Sequence, residues 1–430
     1  MTSNTGQVSA EHADPQAVAA QALEWLVSSS TVTENGVAWG TTRSSAQRDP
    51  TLYGGGAGIV IALLEAHRHF SDDRFADVAI RASQELGVAL QAWDDSSLYF
   101  GVTGIAVALW AVHVTLGDTG ALSSVTRAMN LVRDRFDGEG WGDQFELLAG
   151  SAGVALGALY MGDLELAEMA VAPYLKTAEK TAAGVYWAHR KGVVSRLHHI
   201  SHGTLGIVEA LAAVGAATKR DDFVELALAG AADVVSRSDT AVDGFLVPHS
   251  DPPYRPELIE RFSYGWCHGP AGDAQVFRLL DAVTGDAEWM SLADRCWHTV
   301  VTSGLPKRIR PGFWDNSGRC CGTAGVLAFA CDRHAERGEP LDFARVLIDD
   351  ICSRATPDDN GLYWSNFEHR TTPSELEPRV GWAMGNAGIS RELLRFSRLE
   401  HGGFLEYFVP WPDQPGTGPL ALGPTSPRTL

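Results

Sequence analysis

Three short stretches of this sequence set metal-binding side chains directly before a glycine: Ser201-His202-Gly203, Trp266-Cys267-His268-Gly269 and Arg319-Cys320-Cys321-Gly322. Thiolate and imidazole suit zinc, and a catalytic zinc keeps three protein ligands with a fourth position open. Cys267, Cys320 and Cys321 supply three. The remaining cysteines, Cys296, Cys331 and Cys352, fall in helical stretches away from these glycines and read as small buried hydrophobes. Six cysteines in 430 residues make no disulfide framework, so metal binding or catalysis in a reducing compartment is the expected use of the clustered ones.

The three stretches are copies of a longer pattern. A Gly-x-x-Gly motif followed by an apolar run occurs at Gly55, Gly101, Gly150, Gly203, Gly269, Gly322 and Gly385. The second glycines lie 46, 49, 53, 66, 53 and 63 residues apart, which is room for two helices and their loops per repeat. Independent core cysteines would have no reason to keep one phase of such a repeat. A shared position before the first glycine is what a site assembled from distant segments requires.

One helix is expected to start at each motif. Ile59-Val60-Ile61-Ala62-Leu63-Leu64 is apolar on every side, as are Val154-Ala155-Leu156 and Val326-Leu327-Ala328-Phe329, so these helices form a buried inner layer. Between the motifs, Phe75, Ala79, Ala82, Leu86 and Leu90 keep the three-four spacing of a single apolar stripe, and so do Phe343, Val346, Leu347 and Ile351. They mark an outer layer. Strand signals are scarce. The expected architecture is all-α, a closed double ring of seven helix pairs in which all seven motifs gather at one end around a common cavity. Glycine at those helix starts has a structural reason of its own, close approach of neighbouring inner helices. One domain is expected over residues 14–408, with a polar disordered stretch at 1–13 and a Pro/Gly-rich loop or disordered tail at 409–430. The Pro-rich segment 242–260 reads as a long loop leading into the most polar motif.

Composition narrows the function. A formal charge of −19 with no basic stripe excludes phosphate-backbone recognition, so no nucleic-acid partner is expected, and it disfavours anionic membranes. No apolar run is long enough to span a bilayer, and the first residues lack the charged and apolar regions of a signal peptide, so a cytoplasmic location is expected.

These residues resemble the lanthionine synthetase C-like cyclases, whose hallmarks are seven Gly-rich helix starts, a Trp-Cys-x-Gly motif and a later Cys-His-Gly or Cys-Cys-Gly motif. The resemblance runs from about residue 50 to 395. It implies an α/α toroid with a zinc ion at one end, which adds peptide cysteine thiolates to dehydroalanine or dehydrobutyrine to form thioether rings. On it, Cys267 and Cys320 match the first two zinc ligands, and Cys321 replaces the commoner histidine, as in the three-cysteine branch. His202 matches the family's acid or base. Glu146 stands where the family carries aspartate, one methylene longer. His268 follows Cys267 where others have tyrosine or histidine, a candidate second proton donor. An arginine that some members carry four residues before the first zinc cysteine is replaced by Ser263, and Arg261 lies two residues further back.

The implied partners are a dehydrated precursor peptide and a separate dehydratase. Two rival readings use the same residues: addition of a small thiol such as glutathione to dehydrated side chains, or a non-catalytic zinc-stabilised module that binds modified peptides or a dehydratase. The presence of His202 beside the cysteines favours catalysis, because a purely structural zinc is closed by four ligands. A protein prenyltransferase would also activate thiols on zinc but lacks the seven-motif pattern.

Overall fold

Each Gly-x-x-Gly motif starts a helix, and in all seven the first glycine is the N-cap with no side-chain cap, its backbone extended in every copy but Gly55. The second glycine answers to a steric demand. A Cβ there would lie 1.9–2.4 Å from the carbonyl oxygen six residues earlier in every copy, closer than any real contact. The motif is thus a close approach between a helix's first turn and the loop that feeds it.

The computed structural model describes residues 13–239, 243–307, 316–368 and 371–414. In chain order its helices are α1 (Pro15–Ser28), α2 (Gly56–Phe70), α3 (Asp73–Ala89), α4 (Val102–Leu116), α5 (Thr119–Asp134), α6 (Ser151–Tyr160), α7 (Leu164–Val171), α8 (Tyr174–Thr177), α9 (Thr204–Thr218), α10 (Asp221–Val235), α11 (Pro270–Thr284), α12 (Ala287–Thr302), α13 (Thr323–Arg337), α14 (Asp342–Ser353) and α15 (Asn386–Glu400). Strands among the described residues are two or three residues long and pair only as antiparallel two-stranded ribbons. No helix among them is long and apolar enough to cross a membrane.

The motif helices α2, α4, α6, α9, α11, α13 and α15 each pack on the next, and α15 packs back on α2, so the inner layer closes. Outside it, α3, α5, α7, α10, α12 and α14 each lie against the inner helix before them. The seventh outer place is taken by α1, which packs on α15, so the first helix of the chain completes the last pair. Nothing in the repeat pattern announced this. The helix is well marked locally, with Asp14 capping its N-terminus, Pro15 in the first turn, and Ala19, Ala22, Leu23, Trp25 and Leu26 on the buried side. The fold is the expected all-α toroid.

Three expectations need amendment. The α14 stripe runs through Ala344, Leu347, Ile348 and Ile351, while Val346 is 49% exposed, because the three-four spacing around Leu347 fits two faces of this short helix. Second, α15 is not apolar, although it is as buried as its six counterparts: Arg391, Glu392, Arg395 and Arg398 all lie inside.

The third amendment explains the second. Residues 409–414 carry no helix, as their Pro/Gly context suggests, yet the chain there is packed inside the ring rather than free of it. Val409, Trp411, Asp413 and Gln414 are buried. Arg391 donates to the Val409 carbonyl, Glu65 of α2 accepts from the Phe408 and Val409 amides at 3.1 and 2.9 Å, and Tyr160 of α6 donates to the Pro410 carbonyl at 3.1 Å. The inward polar side chains therefore satisfy the backbone of a segment threaded through the bore, which buried amides and carbonyls require. Residues 415–430 and nearly all of 1–13 lie outside the described residues.

Candidate functional site

The end of the ring where the inner helices start is closed by the backbone. The residue two places before the first glycine of each motif donates its amide to the carbonyl of the equivalent residue in the neighbouring repeat. Tyr53 donates to Tyr99 at 2.9 Å, Tyr99 to Leu148 at 3.1 Å, Leu148 to Ser201 at 3.3 Å and Ser201 to Cys267 at 3.3 Å. Cys267 donates to Cys320 at 3.2 Å, Cys320 to Ala383 at 2.9 Å, and Ala383 returns to Tyr53 at 3.0 Å. This circle of seven bonds turns a phase in the sequence into a place in space. Cys267 and Cys320 are neighbours in the circle, and the next position outward carries His202, His268 and Cys321.

The three cysteines are free thiols that meet at one point. Cys267 Sγ lies 3.3 Å from Cys321 Sγ, and Cys321 Sγ lies 3.4 Å from Cys320 Sγ. All three sulfurs fall within 4.8 Å of one another, so the cluster can hold a metal ion; it is the one group of at least three potential ligands so arranged among the described residues. Cys320 accepts an S–H bond from Cys321 and an O–H bond from Tyr53; its interactions with Cys267 and Cys321, and then with Tyr53, draw its thiol well below the usual value despite burial. Interaction with Cys320, then with Cys321, and burial push Cys267 well above it. Cys296 and Cys331 are buried in α12 and α13, and Cys352 lies half-buried on α14, all away from this cluster. Burial pushes Cys331 and Cys352 up to about 12.

Beside the cluster a buried carboxylate meets an imidazole. His202 Nδ1 lies 3.1 Å from Glu146 Oε1, and the Glu146 carboxylate, which is fully buried, also accepts from the Leu148 and Ala149 amides. The longer glutamate side chain reaches the imidazole by curling back on its own backbone. Burial works against the imidazolium of His202, but the charge and hydrogen bond of Glu146, helped by Cys320, outweigh it and raise the pKa above 6.5. The side chain lies deep, yet 36% of it remains accessible through a hollow of about 490 Å³.

His268 lines the same hollow and stacks on His202, with ring centroids 5.5 Å apart. His249, from the Pro-rich loop, lies 4.3 Å from it and His199 6.1 Å. Burial, then repulsion from His249, His202 and His199, hold His268 well below 6.5, so it stands neutral where His202 is protonated. Arg261 lines the adjoining hollow of about 510 Å³ with His198 and Arg237, and its guanidinium lies over Phe262. The loop that carries it lines both spaces through His249, Tyr254 and Ile259.

Sequence reasoning missed several neighbours. His199 Nδ1 lies 2.9 Å from Asp273 with both side chains fully buried, and nothing in the local sequence couples residues so far apart. Tyr53 was more legible. It holds the same phase of the first repeat as Cys267 and Cys320, and its hydroxyl donates to Cys320 Sγ at 3.5 Å. A hollow of about 640 Å³ opens on its side, and Phe100 lines both this space and the one beside His202.

The lanthionine synthetase C-like protein family matches the chain over residues 46–245 and 255–340, a span that holds six of the seven motifs and all three clustered cysteines. The chain belongs to the lanthionine synthetase C-like family. Among solved structures, this family member is similar to nisin cyclase, with a TM-score of 0.62 and 15% identity over 84% of this chain and 91% of that one. It also shares its helical ring with a GH76 α-mannanase of Bacteroides thetaiotaomicron, with a TM-score of 0.50 and 11% identity over 90% and 97% of the two chains. No curated protein matches.

Proposed function

We propose that this lanthionine synthetase C-like protein is a zinc-dependent cyclase that closes thioether rings in dehydrated peptides. The observation that carries the reading is the meeting, at one end of the ring, of a three-thiol cluster and a carboxylate-backed histidine that opens on a hollow. Cys267, Cys320 and Cys321 suit zinc by chemistry and spacing: sulfurs on a four-coordinate zinc lie about 3.8 Å apart, so the cluster would open by a few tenths of an ångström. When bound, the ion would keep a substrate cysteine deprotonated at neutral pH, where a free thiol is only a few per cent ionised.

The chain's own residues then have defined tasks. As the substrate sulfur bonds to the β-carbon of dehydroalanine or dehydrobutyrine, the double-bond pair moves toward the adjacent carbonyl. The resulting enolate needs a proton at its α-carbon. His202, with Nδ1 engaged by Glu146, has Nε2 left to deliver that proton, and the one released by the substrate thiol restores it. Glu146 fixes the tautomer and favours the charged ring. Holding both ends of one peptide in the hollow gives the attack a high effective concentration. A separate dehydratase would supply the substrate, and a cytoplasmic setting suits free thiols.

The test uses the purified protein, its zinc content, and a peptide carrying one dehydroalanine and one cysteine, with loss of free thiol followed by alkylation and mass. Wild type should hold about one zinc per chain and consume the thiol within the peptide. His202→Asn should keep the zinc while the rate falls by roughly 10²- to 10⁴-fold, the usual worth of a positioned acid. Loss of zinc from His202→Asn would make His202 a ligand and the site structural. Consumption of added glutathione in preference to the peptide cysteine would turn the reading toward small-thiol addition.

A further inference from the structure

Aligning the repeats on their glycines sets Tyr53 in the position that Cys267 and Cys320 occupy, two residues before the first glycine. In the circle of backbone bonds, Ala383 stands between Tyr53 and Cys320. Ala383 carries only a methyl group, and the phenol of Tyr53 comes within 3.5 Å of Cys320 Sγ from the next position along, as the donor. The ring of Tyr53 is held in place. It lies 4.9 Å from Phe100 and meets Tyr99 edge-on at 6.4 Å and 76°. Nothing in the proton-transfer scheme above uses this residue, which lies on the side of the sulfurs that opens on the 640 Å³ hollow.

We propose that Tyr53 is a positioning residue of the sulfur cluster, donating its hydroxyl proton to the Cys320 thiolate and so moderating the charge of a three-thiolate metal site. The inference rests on the reading that Cys267, Cys320 and Cys321 bind a divalent ion. Three thiolates on such an ion carry one net negative charge in a buried place, where each charge-assisted hydrogen bond to sulfur is worth more than in water. The bond does two things. It spreads the negative charge of the buried three-thiolate site, which steadies the loaded form, and it draws electron density from Cys320, leaving that sulfur a poorer competitor for electrophiles than the substrate's own thiolate. Groups that bond to metal ligands commonly change affinity by 10- to 100-fold when removed.

Cobalt(II) is the probe, because sulfur-to-cobalt charge-transfer bands in the near ultraviolet report the electron density on the thiolates without any turnover. Tyr53→Phe keeps the ring contacts with Phe100 and Tyr99 and removes only the hydroxyl. Its bands should move to lower energy, its affinity for cobalt and zinc in chelator competition should fall by roughly 10-fold, and the melting temperature of the metal-free protein should stay that of wild type. Replacing Tyr53 with 3,5-difluorotyrosine, a stronger donor of the same shape, should move the bands the other way, and this arm carries the test if Tyr53→Phe does not fold. Identical bands and affinity in wild type and a folded Tyr53→Phe, or bands unmoved by the fluorinated residue, would overturn the proposal while leaving the metal site standing. Wild type that takes up no cobalt would overturn the metal reading and this inference with it.

Discussion

Trp411 gives the sharpest test of how the ring is filled. Its indole is 1% exposed, stacks on Trp382 with centroids 4.6 Å apart and planes 14° from parallel, and donates Nε1–H to the Tyr99 hydroxyl at 3.0 Å. Trp→Ala in a core costs about 3–5 kcal/mol, and the lost hydrogen bond adds about 1 kcal/mol. The loss cannot exceed the free energy that docks residues 409–414, so about 4 kcal/mol is expected. An unfolding entropy of about 2.1 cal/mol/K per residue over roughly 390 ordered residues is about 0.8 kcal/mol/K, which converts that loss into a fall in Tm of about 5 °C. Calorimetry on Trp411→Ala measures it. Phe404→Ala, at a side chain 50% exposed, should shift Tm by less than about 1 °C. A Tm unchanged in Trp411→Ala would mean that the segment does not fill the bore, and the buried polar face of α15 would be left without its reason.

Two further outcomes follow from the geometry. Glu146→Gln leaves burial, which lowers the His202 pKa, and removes the charge that raised it. A rate carried by the imidazolium is constant below its pKa and falls above it, so the alkaline limb of the cyclisation pH profile should move acidward, by about 1–3 units for a lost opposite charge at this distance; a limb that stays in place would detach Glu146 from the proton donor. Gly272→Ala puts a Cβ 1.9 Å from the Trp266 carbonyl oxygen and 2.7 Å from Ile200 Cγ2, beside Cys267, and should cost about 1–3 kcal/mol or more in urea unfolding. Gly120→Ala, at an exposed position of α5 with no contact closer than 3.2 Å, should instead stabilise by a few tenths to about 1 kcal/mol.

The inner layer was legible because one local demand, a loop carbonyl pressed against a helix's first turn, recurs seven times and admits only glycine. The site was legible for the same reason: once Cys267 and Cys320 share a phase, a closed ring must bring them together. What the residues could not disclose are pairings between elements with no common pattern. The place of α1 beside α15 depends on where the ring ends, which no motif marks. The docking of residues 409–413 is written in Glu65, Tyr160, Gln275 and Arg391, polar residues on four different inner helices, and no one of them alone reads as part of a binding surface. Val346 failed for a plainer reason, since a 12-residue helix offers too few turns for spacing to choose between adjacent faces.

The circle of backbone bonds also explains how a helical core accommodates so polar a site. Each member satisfies its amide and carbonyl sideways, through its neighbours, so no side chain is needed for closure and the residue type at each position is free to vary. Leu148, Ser201 and Ala383 keep the circle with little chemistry of their own, while Cys267, Cys320 and Tyr53 bring sulfur and hydroxyl to the same depth. The position outward repeats the logic with Cys321, His202 and His268, and the polar members fall in three successive repeats, with Tyr53 reaching in across the seam. Each repeat therefore contributes a side chain at fixed height and bearing, so altering the chemistry of the site requires only a change of residue at a ring position, with the helices that hold it left as they are.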